Sequence, residues 1–149
     1  MSVQTGPQAA QILLQNAKYA SLASLQADGR PYASLVSLAR IETGEPLLLL
    51  SDLAWHAQNL HRDGRASLLV QEADPAGDIL ASARISIQGQ MELTQGQAAR
   101  MMFLTAHPEA EAYIDFGDFH FWQMEMEEIH MVSGFGRIET FKGLELLNK

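Results

Sequence analysis

The chain has 149 residues, with 10 Lys and Arg against 18 Asp and Glu, a net charge of −8 and no cysteine. This balance gives no long-range attraction to nucleic acid or anionic lipid, and the missing thiols exclude disulfides, thiolate metal centres and cysteine nucleophiles. With no apolar run near the roughly 18 to 20 residues of a membrane span and no signal-like pattern in MSVQTGPQAAQ, the expectation is a cytoplasmic protein without membrane or nucleic-acid partners.

No repeat, low-complexity tract or long linker divides the chain, so a single domain over residues 1–149 is expected. Residues 7–16 carry Ala9, Ala10, Ile12, Leu13 and Leu14 among glutamines and predict a leading helix, with Pro7 in its first turn. Residues 19–25 and 31–39 are β-prone and flank Asp28-Gly29, which predicts a hairpin. A turn over 43–46 leads into residues 47–50, a leucine run expected to be buried on both faces. Ser51 or Asp52 is placed to cap a helix that begins at Leu53-Ala54-Trp55 and ends near Arg62.

A strand over 66–72 and an exposed loop over 74–78 follow. Residues 84–93 alternate cleanly, with Ile85, Ile87, Gly89, Met91 and Leu93 on one face and Arg84 among the polar residues of the other. Thr94 and Gln97 predict a capping box for a helix that stops near His107-Pro108, with a second short helix from Pro108. Residues 118–131 and 132–140 read as strands, bent or joined near Gly134-Phe135-Gly136. The tally is six or seven antiparallel strands with helices between them: a mainly β protein, a small β-barrel with flanking helices. In 118–131 the apolar phase shifts from Phe119 and Phe121 to Trp122, Met124 and Met126, which predicts one face meeting a second subunit.

Chemistry concentrates in LLLLSDLAWHAQNL, residues 47–60. A strand end passing into a helix start gathers free amides, the Ser51 hydroxyl and the positive end of the helix dipole, a combination suited to phosphate. His56 lies one turn into the helix, Asn59 is three residues on, and Arg84 is a candidate phosphate partner. The plain alternatives are that Ser51 only caps a helix and Arg84 only pairs with an acid. His56 and His61 stand five apart, which does not suit joint metal ligation on a helix, so no metal site is expected. Spacing reveals no catalytic triad and names no acid or base, and Glu125, Glu127 and Glu128 read as a solvated strand end.

The succession LASLQADGRPYASLVSLA, LLLLSDLAWHAQNL, DGRASLLV, ARISIQGQMELT and HPEAEAYIDFGDFHFWQMEMEEIHMVSGFGR resembles the pyridoxamine 5′-phosphate oxidase-related FMN-binding split-barrel family, in particular its haem-utilisation branch. That resemblance implies a six-stranded split barrel, a homodimer, and FMN bound at the subunit interface. Ser34, Leu35 and Val36 would lie along the flavin, Ser51 would supply a phosphate-binding hydroxyl, and Arg84 stands where the oxidases carry a flavin-reaching glutamine. Trp55 and His56 stand where they carry an Arg-Lys phosphate pair. The resemblance thus implies an FMN-dependent oxidoreductase of unknown substrate, with FMN held by Ser34, Leu35, Val36, Ser51, Trp55, His56, Asn59 and Arg84. The alternatives are a haem-binding protein with His107, His120 or His130 as axial ligand, and a dimeric barrel without cofactor.

Overall fold

The computed structural model describes residues 4–73 and 75–148, so Met1 to Val3 of the opening segment and Asp74 of the expected loop lie outside them. Helix α1 (Gly6–Asn16) is capped by Thr5, whose hydroxyl accepts from the Gln8 amide while the Gln8 side chain accepts from the Thr5 amide. Its buried stripe is Ala10, Leu13 and Leu14. Strands β1 (Tyr19–Leu25) and β2 (Pro31–Ser37) pair from Tyr19 opposite Ser37 to Leu25 opposite Pro31. The turn between them needs a residue that tolerates a φ of 87°, and Gly29 supplies it.

The second run of the hairpin ends earlier than its composition predicts. At Leu38 the chain leaves β1, and Ala39–Arg40 form a separate short strand, β3, paired with β4 (Pro46–Ser51). Helix α2 (Trp55–Arg62), β5 (Arg65–Gln71), β6 (Ala83–Thr94) and α3 (Gln97–Ala106) follow. A 3-10 turn (Pro108–Ala112), β7 (Phe119–Ser133), β8 (Ile138–Lys142) and a last 3-10 turn (Gly143–Leu146) complete the succession. The described residues thus form eight strands where six or seven were expected, the extra one being β3.

All pairings are antiparallel, in the order β2-β1-β5-β6-β7-β4-β3, with β8 beside the later part of β7. Leu22, Val36, Leu48, Leu50, Leu68, Ile85, Ile87, Trp122 and Met124 fill the main core, and α1 closes against it. A smaller core lies on the other face of β4, where Leu47 and Leu49 meet Phe103 of α3 and Ile114. The leucine run is therefore buried on both faces, as its composition requires.

Three local expectations are corrected. Phe119 and Phe121 do not supply a free face: Phe121 lies 5.9 Å from Phe103 and Phe119 lies 5.0 Å from Tyr113, both inside the smaller core. Thr94 and Gln97 form no capping box, because β6 keeps Thr94 paired with Phe121 and α3 starts from Gly96 at a φ of 120°. Neither Ser51 nor Asp52 is the N-cap of α2; Ala54 is, and it makes no side-chain capping bond.

Candidate functional site

Helix α2 leans against β1, β2 and β4, and this brings β2 side chains to its first turn. The Ser34 hydroxyl lies 2.9 Å from His56 Nδ1, and the rings of Tyr32 and Trp55 pack with centroids 5.6 Å apart. Burial holds His56 below its ordinary pKa of 6.5, so the imidazole is neutral at pH 7. Its Nε2 makes no hydrogen bond within the described residues and is not among the buried unpaired atoms, so it faces solvent. Around it Leu53 is 78% exposed and Trp55 59% exposed. Alternation along β2 splits the expected flavin strip, with Val36 in the core and Leu35 on the outside of the sheet.

The neighbouring junction between β4 and α2 is acidic. Ser51 donates its hydroxyl to Asp118 Oδ2 at 2.6 Å and accepts from the Leu53 amide at 3.2 Å. The Asp52 amide donates to the Asp118 carbonyl, and the Asp52 carboxylate lies 3.1 Å from His61 Nε2 and 3.0 Å from His120 Nε2. Two carboxylates thus hold the place at which a phosphate dianion was expected, and like charge there opposes it.

Arg84 does not reach this junction within the chain. It pairs with Val132 near the end of β7, whereas Ser51 pairs with Phe119 at its start, a separation of roughly 40 Å along the strand path. Its guanidinium instead donates to the Leu80 carbonyl at 2.6 Å, closing a 3-10 turn (Ile79–Ala81). The phosphate niche drawn from Ser51, His56 and Arg84 is therefore not assembled within one chain.

Asn59 is bonded within the chain. It is 5% exposed, donates from Nδ2 to Ser24 Oγ at 3.1 Å and accepts from Arg62 Nη2 at 2.8 Å, and this docks α2 onto β1. Asn59→Ala removes one bond to a charged donor and strands a buried hydroxyl, so the expected loss is about 2 kcal/mol in urea unfolding. A loss below about 0.5 kcal/mol would show that the network does not hold the helix.

Of the residues expected from sequence, Ser34, Trp55 and His56 come together, while Leu35, Val36, Ser51, Asn59 and Arg84 fall elsewhere or are engaged. The arrangement of Asp52, His61, His120 and Asp118 has no local sequence signal, because its members come from α2, β7 and the segments before them. Among the described residues no group of three or more His, Asp or Glu is placed to hold a free metal ion. What the site offers is one neutral, anchored imidazole at an apolar surface.

The family model described as CREG, beta-barrel matches residues 1–144. The chain belongs to the CREG β-barrel family. Its fold is the split barrel of the pyridoxamine 5′-phosphate oxidase-like superfamily, as the resemblance implied. It is 34% identical over 110 residues to the non-canonical haem oxygenase HOZ, chloroplastic, of Arabidopsis thaliana, covering 72% of this chain and 33% of that protein. A haem-binding protein from Mycobacterium smegmatis superposes with a TM-score of 0.92 at 32% identity, over 98% of this chain and 61% of that one. HutZ, the haem storage protein from Vibrio cholerae, shares the fold at 20% identity with a TM-score of 0.64, over 96% of this chain and 99% of that one. The chain spans about a third of the plant protein and about three fifths of the mycobacterial one. Among the described residues of this family member, no helix is long and apolar enough to cross a membrane.

The neutral state of His56 has a stability consequence. Its folded pKa is depressed, so the unfolded chain takes up a proton as pH falls through 6.5 while the folded chain does not. The stabilisation is complete above pH 6.5 and declines below it until the folded group also titrates. Removing the titrating ring in His56→Gln should flatten the pH dependence of the melting midpoint between pH 7 and 5 relative to wild type. Equal slopes in the two proteins would contradict the assigned burial.

Proposed function

We propose that this protein binds haem at the surface formed by β2 and the start of α2, and that it handles haem as a homodimer. The observation that carries the reading is the contrast at the β4–α2 junction: carboxylates occupy the place where phosphate was expected, while beside it a neutral imidazole, anchored by Ser34, turns its other nitrogen to an apolar surface. Two relatives above 30% identity that are named for haem support the same choice. Haem needs an axial ligand and an apolar face, and its iron would supply the redox chemistry when bound. The chain's own part is to ligate, orient and shield.

A second copy of the chain is the proposed cover of the outer sheet face. There Leu35 stands opposite Ser21, and Ser21 opposite Leu69, with Tyr19 exposed one row away. Exposed apolar groups among small residues on this strand surface suit a self-complementary two-fold contact.

FMN is the rival cofactor, through the fold family, and oxidoreduction of an unknown substrate would be the activity that goes with it. Titrating the 149-residue chain separately with haemin and FMN decides between them. The expected result is a saturable Soret band with haemin and no saturable quenching of FMN fluorescence. Saturable FMN binding without a haemin complex would reverse the reading, and binding of neither would leave the cofactor-free barrel. Sedimentation velocity tests the dimer, and a monomer at micromolar concentration would remove it.

A further inference from the structure

Resting on the haem reading above, we propose that His56 is the axial iron ligand, with Nε2 as the donor atom, and that Ser34 is the residue that positions its ring. An imidazole that ligates through Nε2 must carry its proton on Nδ1, and it ligates best when an acceptor holds that proton. Ser34 Oγ, 2.9 Å from Nδ1, is that acceptor.

The other histidines are each committed differently. His61 and His120 both turn Nε2 to the Asp52 carboxylate, so ligation by either would first break that contact. His107 is 2% exposed and donates from Nε2 to the Leu38 carbonyl at 2.8 Å. His130 is the competitor, since only its Nδ1 is engaged, by Thr140 Oγ1 at 3.1 Å. Its ring stands on the exposed sheet face opposite Ser86, in the row of Leu35 and Leu69 assigned above to the second copy, so in the dimer no free apolar wall is left to it. His56 has one, since Trp55 and Leu53 present exposed apolar surface beside it and Tyr32 backs the indole. A porphyrin face buries hundreds of Å² of apolar area, and aromatic side chains recover most of that burial.

The test is spectroscopic and uses the full chain loaded with haemin, ferric and ferrous. Wild type should show the histidine-ligated spectrum and an iron–histidine stretch in the ferrous state. In His56→Ala and His56→Gln both signatures should be lost, and added imidazole should restore the absorption spectrum in the alanine variant, which also reports that its fold is intact. His130→Ala, His61→Ala and His120→Ala should keep the wild-type spectrum. Ser34→Ala should lower the iron–histidine stretching frequency and weaken haemin binding about 10- to 100-fold, while Ser34→Thr, which keeps the hydroxyl, should restore both. A purely structural role for Ser34 would leave the stretch unmoved.

Persistence of the wild-type spectrum in both His56 variants would place the ligand elsewhere and overturn this assignment while leaving haem binding standing. Failure of wild type to bind haemin at all would instead remove the reading beneath it. Loss of the spectrum in His130→Ala with retention in His56→Ala would move the site to the outer sheet face.

Discussion

Gly89→Ala should be among the most damaging single-methyl changes in the protein, with an expected loss of roughly 4 kcal/mol and a fall in melting midpoint of about 10 °C. The register of β6 against β7 slips at this point, from Gln88 opposite Glu128 to Gly89 opposite Met126, so that Glu127 is left over as a bulge. The bulge presses the β7 backbone toward β6, and a Cβ on residue 89 would strike the Glu125 carbonyl oxygen and then the Met124 side chain. Backbone on the far side of a paired strand cannot move aside as a flexible side chain can. The cost is therefore overpacking plus disrupted ladder bonds in the middle of the longest strand pair. Gly29→Ala is the control: a Cβ there meets nothing, and its φ of 87° alone sets a cost near 1 kcal/mol. If the two variants melted within about 2 °C of each other, the close approach at Gly89 would not be what shapes the bulge.

Wherever a single strand or helix carries its own periodicity, the architecture was legible. Residues 84–93 alternate because β6 has one core face, and the leucine run lacks alternation because β4 has a core on each side. Register and crossover were not legible. Nothing local distinguishes Leu38 from its neighbours, yet the chain passes there from one edge of the sheet to the other, since β2 and β3 end the strand order at opposite sides. The phase shift in β7 was visible, but its cause was misassigned. Period-2 reasoning detects a second apolar face without saying whether the cover is another subunit or, as here, α3 from the same chain. At the site, helix-start chemistry pointed to Ser51, and Asp118, far along the chain, decided what that hydroxyl does. His56 was located from its place in α2, whereas its partner Ser34 became meaningful only when β2 and α2 were packed together.

That same second face carries the other large effect. Phe103→Ala should cost about 3 to 5 kcal/mol, because Phe103 is 1% exposed and sits at the centre of the smaller core, 5.9 Å from Phe121 and 5.0 Å from His107. Its loss opens a void that α3 spans and that Leu47 and Leu49 of β4 line from below. His107 pins the end of α3 to the crossover through its bond to the Leu38 carbonyl, so the helix should loosen from its first turns while that end stays attached. Amide exchange should then accelerate in α3 far more than in α1, which closes the main core on different residues. The pairing of Ser34 with His56 joins β2 to α2, and neither element contributes to the smaller core. A Phe103→Ala protein that is still folded at low temperature should therefore keep the haemin spectrum of wild type despite its lower melting midpoint. If the spectrum changed while exchange in α3 did not, the two cores would be coupled through β4, and the ligand surface would extend to the end of that strand.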